Sequence, residues 1–421
     1  VNGHFRATNF KDGTTLPTTT LDPSANGNIY VGRNSGNNNV ALSNIGIGYN
    51  VLNKVTTGFG NIGIGRYNLD DITEGNSNIA IGSVVLTKTT TGYRNIAIGN
   101  GVLNANTAGH DNIGIGVNVL KDSNITGGEN TSIGNYSSQT LTTGQRNVAV
   151  GYSAFENVDS SYNVAVGHSA LQGAAGSTGE RNTAIGYESM KNITTSGYST
   201  AVGFMSLKSI TTGIRNIGIG YKSLEKRTES TDNIGIGVNA LQYGTGSHLI
   251  AIGYHALRMG ASDNGSSPGG GDAGNSIGIG SYALKACTHG SDNISIGFES
   301  SDAIHNGIGN VAIGTRALSG NVSGYRNIAI GYESLYSSTD NFNIGVGYQA
   351  LYNLTTAGSI GGNVGIGHQS LHPITTGYNN TAIGHLSGYT NPAGSENTIC
   401  IGYGANVTGN NMCRIGNDNI K

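Results

Sequence analysis

The chain has 421 residues, with 70 glycines, 5 prolines and no tryptophan; 36% are hydrophobic and 11% charged. Those proportions exclude one large globular core, and they equally exclude a charged disordered tail. A formal charge of -2, from 22 basic and 24 acidic residues without blocks of one sign, leaves no footprint for nucleic acid or an anionic membrane.

Residues 1–27 lie outside any repeat and read as a cap or junction segment; Val1 to Leu16 has neither the charged nor the apolar region of a signal peptide. No stretch approaches the roughly 20 apolar residues of a membrane span, so membrane insertion is not expected. From residue 28 to 403 the chain is a repeat. The pentapeptide Asn-Ile-(Ala/Gly)-Ile-Gly recurs with 23 anchor glycines, from Gly32, Gly48 and Gly65 to Gly384, Gly402 and Gly416, mostly 16 to 18 residues apart. A fixed period of this size marks a solenoid. Residues 404–421 read as a closing segment.

Within a unit, Ile or Val precedes every anchor glycine, and Ile or Val usually stands two residues earlier, as at Ile79 and Ile81. Alternation of this kind places both on one face of a strand, which is expected to be the core face. Ile81, Ile98 and Ile115 would then form a structural ladder along the stack. Between them stands Ala, Gly or Ser, so Ala80, Ala97, Gly114, Ala149 and Ala165 define a face almost without side chain. That face is the candidate interchain face, because small residues let another backbone approach. A second apolar element ends in Leu, as at Leu52, Leu69, Leu86, Leu103 and Leu120, and a Thr-Thr-Gly turn follows. Seventeen residues of two short strands and two turns fit one coil of a narrow solenoid. The fold class expected is therefore all-β: a parallel β-solenoid of about 23 coils, giving a rod of roughly 110 Å at about 4.8 Å per coil. With about three large apolar side chains per coil, the core is thin, and lateral association into a parallel homotrimer is the expected remedy.

The strings Asn327 to Leu335 (Asn-Ile-Ala-Ile-Gly-Tyr-Glu-Ser-Leu) and Thr90 to Asn95 (Thr-Thr-Gly-Tyr-Arg-Asn) resemble the head repeats of trimeric autotransporter adhesins and, more closely, longer repeats in bacteriophage tail fibres. The likeness covers residues 28–416. It implies a left-handed parallel β-roll trimer, a virion fibre or cell-surface filament, and an extracellular location. The segment from Gly404 to Ile420 resembles the stretch that, in many such fibres, precedes a self-cleaving intramolecular chaperone. On that likeness Lys421 lies near a processing boundary. No coiled-coil stalk follows, which favours a phage fibre or a shed filament.

The expected function is a non-catalytic structural shaft that supports attachment to a host or surface. Two alternatives stand beside it: an adhesin that binds a cell-surface glycan or protein, and a subunit that polymerises end to end. Contact with a receptor would fall on insertions that break the period, above all the segment holding Asp263, Asn264, Ser266, Ser267, Pro268 and Asp272, or on the ring residues after the anchor glycine, such as Tyr152, His168, Tyr187, Phe204, Tyr221 and Tyr254. Rings in register are more readily explained by packing on each other. Asn61, Asn78, Asn95 and Asn112 are assigned to a structural ladder at a coil corner. No cofactor is expected, and neither metal-ligand spacing nor a catalytic cleft is legible. Asp70, Asp71 and Glu74 share one turn, and a calcium-binding solenoid would need a denser Gly/Asp repeat. Cys400 and Cys413 occupy opposite faces of their strands and are expected to be free thiols.

Overall fold

The computed structural model describes residues 27–36, 41–121, 126–259, 274–355 and 361–419. It is all-β, a parallel β-solenoid with a period near 17 residues and one short strand per coil. The chain divides into two compact units. The first carries β1 (Ile29–Val31) to β7 (Thr131–Ile133), and the second β8 (Val148–Val150) to β23 (Cys413–Ile415). Within each unit every strand pairs in parallel with the strand one period away, identical positions facing each other: Ile79, Ala80, Ile81 and Gly82 sit on Ile96, Ala97, Ile98 and Gly99.

Two conformational features set the coil. The anchor glycine has a φ between +115° and +142° in nearly every unit, Gly416 being lower, a region closed to most side-chain-bearing residues. A Cβ placed on Gly99 would stand 1.7 Å from the carbonyl oxygen of Gly116, and one on Gly237 would stand 2.5 Å from that of Gly253. Glycine is therefore demanded twice, by its own backbone and by the coil stacked upon it. After the anchor, the second apolar element is a turn rather than the second strand expected from the repeat. Its residues two and four past the glycine lie in the left-handed region, as at Lys222 (φ 54°) and Leu224 (φ 52°). Each such residue costs about 1 kcal/mol in isolation. The stack compensates: Lys222 donates its N–H to Phe204 O of one neighbouring coil at 2.9 Å, and Leu224 donates to Ala240 O of the other at 3.0 Å.

The inside of the coil reverses the expected one. Ala80, Ala97, Ala149 and Ala165 are completely buried, and Gly114 is buried with them, so the small-residue face points into the coil and is not available as an interchain face. The physical reason is lack of room. The strand lies directly over the Leu-bearing turn: a Cβ on Gly63 would meet Val51 Cγ1 at 2.4 Å, and one on Gly235 would meet Leu224 Cδ1 at 2.6 Å. Nothing larger than Ala or Ser fits there across most of the stack. The core of a coil is that small residue, the adjoining Leu (Leu86, Leu103, Leu224, Leu351), the residue before it and a varied buried side chain three further on, such as Ile72, Thr89, Ile210, Cys287 and the fully buried Arg227. The two Ile of the strand consequently point outward, and several, including Ile185, Ile219, Ile252, Ile330 and Ile383, are 37–41% exposed. Ile81, Ile98 and Ile115 do stack as a ladder, but on this outer face.

Among the described residues, large side chains enter this small-residue column of the strands only at Tyr30 and Arg414. The Tyr30 ring lies over Gly46, and burial pushes its hydroxyl up to about 12. The Arg414 guanidinium bonds Gly416 O at 3.1 Å and pairs with Asp418.

Replacing an anchor glycine should be far more damaging than replacing a glycine whose Cβ would meet open space. Gly237→Ala is expected to cost about 3 kcal/mol or more through strain and the clash with Gly253. Gly404→Ala, with nothing within 4 Å of its new methyl, should cost about 1 kcal/mol. Because repeat arrays open locally, hydrogen exchange across the flanking coils is the measurement to use; equal protection in the two variants would contradict the stacking constraint.

Candidate functional site

The features that recur in register on each coil are polar corners and outward ladders. The corner Asn ladder is an interior, fully used network. Asn95 accepts the backbone N–H of Asn112 at 3.1 Å on its Oδ1, and donates from Nδ2 to Asn78 Oδ1 at 3.0 Å and to Gly109 O at 2.8 Å. Asn61, Asn78, Asn95 and Asn112 are completely buried. Their amides hold neighbouring coils to one another, satisfying backbone groups that would otherwise be orphaned. Where Asn is replaced, Ser199 Oγ still accepts from Asn216 N–H at 3.1 Å and Ser276 Oγ from Asn293 N–H at 3.2 Å.

The ring residues one past the anchor glycine do pack on each other. In the second unit Tyr152, His168, Tyr187, Phe204 and Tyr221 follow with centroids 5.1–5.3 Å apart and planes within 22°. Their faces are consumed by neighbouring rings, so what they present outward is ring edges and hydroxyls. A second aromatic column was not legible while each position was read singly. Five past the anchor stand Tyr336, Tyr352, His372 and Tyr389, the first three stacked at 5.2 and 5.3 Å and Tyr389 tilted by 40° at 5.7 Å. The signal available was the four-residue offset of Tyr332 from Tyr336 and of Tyr348 from Tyr352, repeated in His368 and His372.

Charged residues form a further column just before the corner Asn. Arg94 forks onto Asp111 through two 2.6 Å bonds, and Arg215 onto Asp232 at 2.6 and 2.8 Å. The Arg94 guanidinium holds the Asp111 carboxyl down at about 2. These pairs are exposed and screened by salt.

Asp263, Asn264, Ser266, Ser267, Pro268 and Asp272, named as a receptor-contact segment, lie outside the described residues. Cys400 is buried in the interior column, Cys413 is exposed on the outer Ile face, and both are free. Asp71 of the acidic turn pairs with Lys54 at 2.5 Å. Among the described residues no group of three or more His, Cys, Asp or Glu is arranged to hold a metal ion, and no helix is long and apolar enough to cross a membrane. An open depression of about 460 Å³ near Thr390, Pro392, Asn406 and Thr408 is bounded by Arg414 and Asp418, which satisfy each other. No model of a known protein family matches the chain, and no curated protein matches it.

One buried acid departs from the repeat. Asp340 takes the place of the buried glycine that follows Thr-Thr in other coils, is 1% exposed, and neither carboxylate oxygen has a hydrogen-bond partner. Asn321 Nδ2 and Ser338 Oγ, from the same two coils, are likewise unsatisfied. Burial pushes the Asp340 carboxyl up to about 6. Since its folded value lies above the unfolded one, this coil is most stable below about pH 4 and loses that contribution as pH rises through 6. Asp340→Gly, which restores the residue of the column, should remove this slope and gain roughly 2 kcal/mol at pH 8. Thermal melts of both proteins from pH 4 to 8 measure it, and parallel pH profiles would refute the assignment.

Proposed function

We propose that this chain is a non-catalytic shaft of an extracellular fibre that associates side by side with copies of itself through its outer Ile face, as a parallel homotrimer. The observation that carries the reading is the outward Ile ladder. At about 120 Å² for a whole Ile side chain, one left a third exposed offers on the order of 40 Å². The sixteen strands of the second unit set out up to two such side chains each. The apolar surface so presented is on the order of 1,000 Å², above the roughly 800 Å² per partner of a standard stable interface and beyond the patches that monomeric proteins expose.

A second copy suits this surface better than an unrelated partner. The face is a regular column of branched side chains at one spacing, and an identical column set parallel to it presents the same spacing throughout. The resemblance to tail-fibre and trimeric adhesin repeats supports three copies and a role as a shaft. Stacked anchor glycines and the buried Asn ladder support stiffness. They leave little of the coil free for a catalytic cleft.

Cys413 provides a native reporter, because it stands in an Ile position of the outer face in β23. In a parallel in-register assembly, mild oxidation should link two Cys413 thiols and leave the third of each trimer free. Cys287 and Cys400, both buried, should remain silent. Non-reducing electrophoresis of wild type and Cys413→Ser checks this, while Ile219→Asp with Ile236→Asp should shift sedimentation towards monomer without changing circular dichroism. A wild-type chain that sediments as a monomer at micromolar concentration would sink the proposal.

A further inference from the structure

Along most of the second unit, the position five past the anchor glycine carries charge: Lys191, Lys208, Glu225, Arg258, Lys285 and Asp302. From Gly331 onward it turns aromatic, and two ring columns run side by side. One rail is Tyr332, Tyr348, His368, His385 and Tyr403, with successive centroids 5.3, 5.0, 4.9 and 5.4 Å apart. The other is Tyr336, Tyr352, His372 and Tyr389.

Between the rails lies the column two past the anchor. Its members are joined end to end: Gln369 Nε2 donates to Gln349 Oε1 at 3.0 Å, and Gln349 Nε2 donates to Glu333 Oε2 at 2.9 Å. Glu333 is only 8% exposed, whereas Tyr332 and Tyr348 beside it are 41% and 44% exposed. The column is thus recessed at Glu333 and half-buried at Gln349 and Gln369, and the first rail stands proud of it. Arg316, at the end of the column, is held by Glu299 at 2.9 Å and lies 3.8 Å from Glu333, so no unneutralised cation faces the strip.

The geometry points to this strip as a binding surface for a neutral, extended β-linked polysaccharide lying along the solenoid axis. Three successive coils repeat the same set of groups, Tyr332, Glu333 and Tyr336, then Tyr348, Gln349 and Tyr352, then His368, Gln369 and His372: two ring edges bearing hydroxyls or imidazole nitrogens, with a carboxamide or carboxylate between them. A β-linked glycan in extended form offers a hydroxyl-bearing edge at every flat sugar ring, alternate rings being turned over. It brings hydrogen-bonding edges to the carboxamides and carboxylate of the middle column and apolar CH faces to the rails. An extended peptide repeats its same-side residues at about 6.8 Å, out of step with rings 4.9–5.7 Å apart. A nucleic acid would need a row of basic side chains to meet its phosphates.

The inference takes its setting from the extracellular-fibre reading, but its test is scored separately from Cys413 cross-linking. Native gels cast with hydroxyethylcellulose, with a soluble β-linked mannan or with α-linked dextran are the probe. The chain should be retarded by one or both β-linked polymers and pass dextran freely. Combining Tyr336→Ala, Tyr352→Ala and His372→Ala should weaken retention at least tenfold while Cys413 cross-linking and circular dichroism stay as in wild type. Combining Tyr187→Ala, Phe204→Ala and Tyr221→Ala, from the single-rail region, should leave retention intact. Free passage through both β-linked gels, equal retardation by dextran, or undiminished retention of the first triple variant would each overturn the assignment.

Discussion

Everything in this fold follows from how closely one anchor glycine sits on the next. With the carbonyl of Gly116 at 1.7 Å from where a Gly99 Cβ would be, adjacent coils touch backbone to backbone. No side chain separates them at that corner, so each strand must lie in strict register with its neighbours. Register in turn places like on like. Asn stacks on Asn, ring on ring and Ile on Ile because the backbone permits no offset. The ladders are consequences of the glycine column, and their chemistry is chosen from what tolerates self-stacking.

Such a coil has almost no interior, which explains how its polar groups are handled. The buried volume holds an Ala or Gly, a Leu, one neighbour of it and one further side chain. Hydrophobic burial per coil is correspondingly modest, and the hydrogen bonds between coils carry a larger share of cohesion than in a globular domain. The Asn ladder is the clearest instance, since each amide is used on both sides. Asp340 shows what the same corner does to a group without a partner: the carboxyl is driven towards its neutral form.

The period, the strand in each unit, the recurrence of the anchor glycine and the structural role of the Asn column were all legible in the sequence. Each rests on a residue type that few alternatives could replace. Inside and outside were not legible. Alternation along Ile79, Ala80 and Ile81 defines two faces, and hydrophobicity alone assigns the larger pair to the core. The deciding quantity is the gap between strand and turn, which depends on Val51 or Leu224 approaching from elsewhere in the stack. The second aromatic rail escaped for a related reason. Tyr336 and Tyr352 are ordinary loop tyrosines until the turn geometry brings them beside Tyr332 and Tyr348.

The left-handed leucines carry a consequence of a different kind. Leu224 holds its strained conformation because Ala240 of the adjoining coil receives its N–H. A coil is therefore stable in proportion to the company it keeps, and every coil offers its successor the same terms. Duplication or loss of one whole repeat in the gene leaves each remaining contact of the same type as before. The number of coils can then change in steps of one, while a change of even one residue inside the Ile-x-Ile-Gly strand is felt by the coils on both sides.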